Sequence, residues 1–259
     1  MNKIFTVLII TFLLLSCEKE EGCIDPLATN YNHDATVDNG SCNYAQLSDL
    51  NIHFTHTVNG NQLILNSMMY TNAANENYSV QTVRYLISNI TLHTDDGSST
   101  ILDNIHYVDI SIDSTTTLKI TEITDLNYSS ISFTVGLDSA NNKTNLFLNE
   151  SFFPSFAWPE ILGGGYHYMQ LEGDFNTLFQ GYATHTGGTD GIDYSFEKKF
   201  PLSPRLQNEN TISINMEINN WYSNPNIINL SDAIMANSSI QAQLKINGET
   251  DVFSLNIIE

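Results

Sequence analysis

The chain has 259 residues, and its 9 basic and 29 acidic side chains give a net charge of −20 at pH 7. A surface this acidic repels phosphate backbones, which excludes nucleic acid as a partner. Charged residues make up only 15% of the sequence and hydrophobic residues 41%, a composition typical of a folded protein rather than of an acidic disordered one.

The N-terminus predicts export and lipid attachment. Lys3 precedes an apolar run over residues 4–15, which is too short for a permanent membrane span and typical of a signal peptide, here residues 1–16. Cys17 follows at once, in a segment that resembles the lipobox of bacterial lipoproteins, where the cysteine is acylated. Residues 17–21 form an acidic tether, similar to tags that direct lipoproteins outward. We expect an outer membrane lipoprotein on the periplasmic face or at the cell surface; an ordinary signal peptide is the alternative.

Residues 22–44 resemble a short cysteine-bounded repeat of secreted bacterial proteins. Cys23 and Cys42 remain as an even pair in an oxidising compartment, which predicts a disulfide. So small a segment buries little apolar surface, and the bridge must therefore hold it together. We favour a spacer, with calcium binding as the alternative, because the spacing does not follow an EF-hand loop. The side chains that offer oxygen ligands are Asp25, Asn32, Asp34, Asp38 and Asn39.

Residues 47–259 predict an all-β domain, a single antiparallel β-sandwich or open barrel, because short alternating apolar runs follow one another. Asn59-Gly60 and Asn247-Gly248 are dipeptides of tight hairpins, and residues 232–237 alone hint at a helix. The predicted strands are Leu50–Val58, Gln62–Tyr70, Thr82–Leu92, His106–Ile112, Ser129–Leu137, Tyr166–Glu172, Phe179–His185, Thr211–Ile218, Gln241–Ile246 and Val252–Ile257.

Three histidines are candidate metal ligands. Alternation places His56 on the apolar side of its strand with Phe54, and His167 on the same side as Met169, while His185 lies where a strand ends. A buried imidazole needs either a hydrogen-bond partner or a metal. The sequence contains no CxxC pair, so a thiolate site is not expected. For each histidine taken alone, a hydrogen-bonded core residue is the alternative.

Several short sequence blocks follow one another along residues 47–259, and their order resembles that of the MbnP-like copper-binding protein family. This family is named after a periplasmic protein associated with the chalkophore methanobactin. Asn247-Gly248 with Asp251-Val252-Phe253 is a weaker match. The main blocks are FTHTVNG at 54–60, VRYLISNI at 83–90, Trp158-Pro159, GYHY at 165–168, LEG at 171–173 and HTG at 185–187.

The resemblance implies a β-sandwich that binds copper through histidines, and a tryptophan that a di-haem MauG-like peroxidase oxidises to kynurenine. By position, Trp158 is the modified residue, His56 and His185 are the expected copper ligands, and His167 is a further candidate. Zinc is the competing metal, since imidazole suits both ions. The sequence departs from the family pattern in two places: Glu160-Ile161-Leu162 stands where a second tryptophan is common, and Thr186 where leucine is usual.

These features predict a copper-binding lipoprotein for uptake, storage or delivery, without catalytic turnover. No Gly-x-Ser-x-Gly motif, phosphate loop or dinucleotide fingerprint supports an enzyme. The alternative is a surface adhesion or glycan-binding sandwich without metal, which would require exposed aromatic side chains on one face. The candidates for that face are Trp158, Tyr166, Tyr168 and Trp221.

Overall fold

A computed structural model of the chain shows two compact units, residues 1–46 and residues 47–259. The predicted signal peptide and the predicted lipidation site, Cys17, lie outside the described residues. No helix within the described ranges has the length and apolar character needed to cross a membrane. The described residues are 19–44, 47–124, 128–176, 178, 180–203 and 210–258.

The N-terminal unit contains two short parallel strands, β1 (Glu21–Gly22) and β2 (Val37–Asp38). A disulfide joins Cys23 to Cys42, which confirms the predicted bridge. Asp25 Oδ1 accepts a hydrogen bond from a backbone N–H two residues further on, and Asn32 and Asp38 do the same. These oxygens stabilise turns of the backbone, as a spacer requires; calcium binding stays a prediction.

The domain of residues 47–259 is mostly β, with one α-helix in the part that the structure describes, and its sheet curls into a half-barrel. This confirms the predicted fold class. Its elements are β3 (Leu47–Val58), β4 (Asn61–Gln62), β5 (Tyr70–Thr71), β6 (Asn77–Tyr78), β7 (Thr82–Thr94), β8 (Ser99–Asp109), β9 (Thr117–Thr124), β10 (Tyr128–Val135), β11 (His167–Phe175), β12 (Gln180–Gly187), β13 (Phe196–Pro201), β14 (Asn210–Glu217), α1 (Ser238–Asn247) and β15 (Phe253–Ile258).

The strands form a larger and a smaller sheet. In the larger sheet β7 pairs with β8, β10 and β11, and β11 also pairs with β12. In the smaller sheet β3 pairs with β4, β9 and β14. The β3–β14 pair is parallel, while the other pairs within the two sheets are antiparallel. The site described below lies on β11 and β12.

The main core fills the space between the two sheets. Ile52 and Phe54 from β3 and Ile214 from β14 are buried there together with Tyr85 and Ile87 from β7. Because side chains alternate along a strand, residues that lie between these core positions face the other side of their sheet. The larger sheet therefore has a second face, and the chain must cover it separately.

The second face of the larger sheet carries its own apolar cluster. Leu86, which lies between two core residues of β7, packs there against Phe152, Phe156 and Tyr166 of the connection between β10 and β11. Leu137 also joins this cluster, although alternation along the predicted strand Ser129–Leu137 would place it on the side of Val135, in the main core. Gly136 interrupts the alternation, because its φ of +89° turns the chain before Leu137. The connection thus folds back over the sheet.

Local patterns predicted some turns correctly and failed at others. Asn59 and Gly60 both have positive φ and join Val58 to its partner Asn61, which confirms the tight hairpin. The predicted strand Gln62–Tyr70 is wrong, because only its two ends pair. β9 and β13 were not predicted, since their alternation is weak.

The predicted strand Gln241–Ile246 and the turn at Asn247-Gly248 are also wrong, because α1 occupies this segment. The Asn237 side chain caps the helix by accepting hydrogen bonds from the N–H groups of the second and third residues after it. Gln241 and Leu244, three residues apart, are fully buried, as one face of a helix requires. The helix that residues 232–237 hinted at begins just after them.

Candidate metal centre

The centre lies on the face of the larger sheet that points away from the main core. Gln170 on β11 is paired with Arg84 on β7 and with His185 on β12. Directly paired residues share a face of a sheet, so these three side chains project to the same side. Met169 projects to the other side, into the main core. His185 therefore faces the connection between β10 and β11.

His167 reaches this face through an irregularity in β11. The sequence predicted His167 on the side of Met169 and Leu171, because these residues alternate. The register instead shifts between His167, paired with Gly187, and Met169, paired with Thr186. Such a shift reverses the direction in which the next side chain points. His167 consequently contacts His185, with ring centroids 4.9 Å apart and ring planes at 83°.

Trp158 is the third aromatic residue of the site, beside His167 and His185. Its backbone N–H donates to Gly165 O at 2.9 Å, and His167 N–H donates to Phe156 O at 2.8 Å, so the two segments run side by side. The Trp158 ring lies 4.7 Å from that of His167, at 80°. The indole is 2% exposed, and its Nε1 has no hydrogen-bond partner in the part of the chain that the structure describes.

Gly187 provides the space for the indole. A β-carbon at this position would lie 2.7 Å from Trp158 Cε3, closer than carbon atoms approach. The last residue of the His185-Thr186-Gly187 block therefore has a steric role. The triple glycine at residues 163–165 has positive φ throughout, as a tight return from Trp158 to β11 requires.

The His167 imidazole is neutral and has one free nitrogen. Its Nδ1 lies 3.1 Å from Phe156 O, a carbonyl that can only accept, so Nδ1 carries the proton. Its Nε2 is buried and has no hydrogen-bond partner among the described residues. Burial, together with the neighbouring His185, lowers the pKa of His167 to about 4. An unshared electron pair on Nε2 therefore points into a site with no donor to satisfy it.

His185 is held from two sides. Its Nε2 lies 2.7 Å from Glu172 Oε1, and this hydrogen bond is the main reason why the pKa of Glu172 lies below its usual value. The carboxylate can only accept, so Nε2 donates, and in the neutral form of the ring the electron pair is on Nδ1. Gln241 of α1 donates from Nε2 to His185 O at 2.8 Å. The contact with Glu172 fixes the side chain of His185, and the hydrogen bond from Gln241 fixes its backbone.

His56 does not join this group. It lies on β3 in the smaller sheet, and its Nε2 is 3.1 Å from the hydroxyl of Tyr85. Tyr85 faces the main core, whereas Arg84, the residue before it, shares the face of His185. His56 and His185 are therefore on opposite faces of the larger sheet, not together as the sequence analysis expected. Alternation indicated correctly that His56 points inward, but the partner that it meets is a tyrosine.

The aromatic residues proposed for a glycan-binding face do not form one. An exposed platform would require rings that a sugar can reach. All four of these side chains are at most 2% exposed. The alternative of an adhesion sandwich therefore loses the feature on which it rested. The residues are Trp158, Tyr166, Tyr168 and Trp221.

Glu172 and Gln241 contribute to the site, but neither was predicted as a site residue, although Glu172 belongs to the LEG block at 171–173. Glu172 is an acidic residue on the strand next to His185, yet their contact depends on the register of β11 against β12. Gln241 was assigned to a strand, and only its helical position aims the amide at His185 O. A polar residue between apolar ones, as Gln241 is, was the one available signal of a buried partner.

The MbnP family model matches residues 47–241, three quarters of the chain. This chain belongs to the MbnP family. Its fold is similar to that of MbnP from Methylosinus trichosporium, with a TM-score of 0.56 and 12% identity over 83% of this chain and 100% of that one. No curated protein sequence matches the chain. The MbnP match includes Trp158, His167 and His185, and it ends at Gln241, the residue that holds the backbone of His185.

The donors of this MbnP domain fit a metal of low coordination number. The described residues contain no group of three His, Cys, Asp or Glu side chains that could hold an ion. Two imidazole nitrogens, Nε2 of His167 and Nδ1 of His185, are free to coordinate one. Structural zinc sites take four ligands, so two imidazoles leave zinc incompletely coordinated. Monovalent copper accepts two or three ligands, and imidazole suits it.

Proposed function

We propose that this MbnP-family protein binds a copper(I) ion between His167 and His185, next to Trp158. The observation that carries the proposal is the buried Nε2 of His167, which has no hydrogen-bond partner and lies beside a second imidazole. An unpaired buried acceptor is costly, and a metal ion in contact with it would remove that cost. The hydrogen bonds that fix the other nitrogen of each ring support the same assignment.

The position of Trp158 supports a third ligand that arises by modification. An unmodified indole offers only an N–H donor. Kynurenine has an aromatic amine and a carbonyl, and both have electron pairs for a metal. Because the Trp158 ring already contacts His167, oxidation by a di-haem MauG-like partner would generate these donors next to the copper ligands. The modification would thereby raise the number of donors from two to three.

The proposed role is copper uptake, storage or delivery by an envelope lipoprotein, without catalytic turnover. His167 is almost fully buried and Trp158 is 2% exposed, so most of the centre is enclosed. The His185–Glu172 pair is its more accessible side, since the Glu172 side chain is 39% exposed. Copper would therefore enter and leave past Glu172. Enclosure suits retention of an ion rather than turnover of a substrate.

The direct test is a copper(I) titration of the mature protein against a competing chelator, after production with and without the di-haem partner. We expect one copper ion per chain in both preparations, with tighter binding after co-production. Intact mass should show one tryptophan converted to kynurenine, which has one more oxygen and one less carbon, only in the co-produced protein. Absence of copper binding in both preparations would refute the proposal, and zinc that displaces copper would refute the choice of metal.

Replacing Glu172 by glutamine should weaken copper binding while the fold stays intact. The charge that holds His185 Nε2–H is lost, and an amide that can turn its N–H group toward the ring replaces it. Loss of such an outer hydrogen-bond partner lowers metal affinity by about 10–100-fold. Chelator competition gives the affinity, and thermal melting checks the fold. The matched control is Glu160→Gln, which replaces an exposed carboxylate in the Trp158 loop and should bind copper as tightly as the parent does.

A further inference from the structure

A cavity lies on the face of the larger sheet opposite to the proposed metal centre. It has a volume of about 440 Å³. It is lined by residues of β3, of β4 and the segment after it, by Ile110 just after β8, and by Thr116 just before β9. This volume lies within the range of small-molecule sites. Its walls include the apolar side chains of Phe54, Leu63, Leu65 and Ile110, and the exposed Gln62 also lines it.

One imidazole is among the polar groups that line this cavity. His56 lines it, and its Nε2 is bound to Tyr85 Oη at 3.1 Å. The Nδ1 atom of His56 makes no hydrogen bond to any residue that the structure describes, yet it is not sealed off from solvent as Nε2 of His167 is. Burial lowers the pKa of His56 to about 4, so the ring is neutral at physiological pH.

The threonine side chains of the cavity are engaged elsewhere. Thr55 Oγ1 contacts the side chains of Ser213 and Asn215, Thr57 Oγ1 donates to Glu217, and Thr116 Oγ1 donates to the backbone. No charged side chain is present among the described residues that line the cavity. A charged ligand would lose its hydration without gaining a counter-ion there.

We propose that this cavity binds a small, uncharged and largely apolar molecule whose single hydrogen-bonding group contacts Nδ1 of His56. The apolar walls provide the contact area, and the one free nitrogen fixes the orientation, as in small-molecule sites generally. The site is independent of the proposed copper centre, because Tyr85 and His185 project from opposite faces of the larger sheet. His56 would therefore bind this molecule rather than the metal ion.

The test uses phenol as the probe, with the mature protein and nitrogen-15 NMR of its imidazoles. We expect saturable shifts of the His56 resonances on addition of phenol, with His185 unaffected. Benzoate and benzylammonium carry the same ring with a charge, and neither should bind as phenol does. Unchanged His56 resonances, or equal binding of benzylammonium, would mean that the cavity holds water only and would overturn the proposal.

Two variants locate the binding. Leu65→Trp places a large ring in the cavity from a half-buried wall position and should abolish the phenol shifts. His56→Gln keeps a partner for Tyr85 but changes the anchor, and should weaken binding about tenfold, the upper range for one hydrogen bond. If His56→Gln does not fold, Leu65→Trp still decides, because phenol binding that persists in it contradicts the assignment.

Discussion

Replacing His167 by alanine is expected to remove copper binding at the centre. The variant loses the nitrogen that is buried without a partner, and a single imidazole, that of His185, remains. We expect the affinity for copper(I) to fall further than the roughly 10–100-fold that loss of an outer partner causes. Chelator competition on the variant and the parent, prepared identically, measures the difference. The His185→Ala variant should behave in the same way.

Two other histidines provide the controls for this prediction. His53→Ala removes an imidazole that contacts the Thr117 hydroxyl on the smaller sheet, and its copper affinity should match that of the parent. His56→Gln should also keep copper, because its ring meets Tyr85 on the far face of the larger sheet. If His56→Gln loses copper while His167→Ala retains it, the ligands derived from the sequence are right and those derived from the geometry are wrong.

The metal-free protein is expected to lose several kcal/mol of stability between about pH 6.5 and about pH 4. His56 and His167 have an ordinary pKa of 6.5, and burial lowers each to about 4 in the folded state. In this window the unfolded chain binds protons that the folded chain does not, so the free energy of unfolding falls as the pH falls. Each group contributes about 3 kcal/mol at the acid end. Burial also lowers the pKa of His106, which adds to the loss.

Urea unfolding of the metal-free protein at a series of pH values measures this loss. His56→Gln removes one of the two main groups, so its stability should depend less steeply on pH than that of the parent. His33, which is exposed, offers a matched control, and His33→Gln should leave the slope unchanged. A stability that stays constant over this window would show that neither imidazole is kept neutral by burial.

Strand β14 was predicted well because its apolar residues all lie on one face. In β14, Ile212, Ile214 and Met216 alternate with polar residues, and all three lie in the main core. This pattern depends only on local spacing. By contrast, α1 was missed because its apolar residues alternate as they would in a strand, whereas the residues that it buries are Gln241, Leu244 and Asn247. Polar residues that are buried through hydrogen bonds give no hydrophobic period to detect.

The sequence identified the side chains of the candidate centre but not which of them meet. Trp158, His167 and His185 were all predicted as site residues, and their rings form a continuous contact. His56 was grouped with them because alternation shows that a residue points inward without showing which sheet it faces. The meeting of His167 with His185 depends on a register shift in β11, a tertiary feature that residue spacing does not encode.

The parallel pairing of β3 with β14 also constrains when the domain can fold. Thr55 contacts Ser213 across this pair, 158 residues further along the chain. Contacts between such distant segments require closure of a very long loop, which slows folding. During synthesis β3 emerges early, with Ile52 and Phe54 still uncovered, and it waits for β14 until most of the polypeptide has been made. A chaperone that shields β3 would therefore have to act until the segment of β14 has also been synthesised.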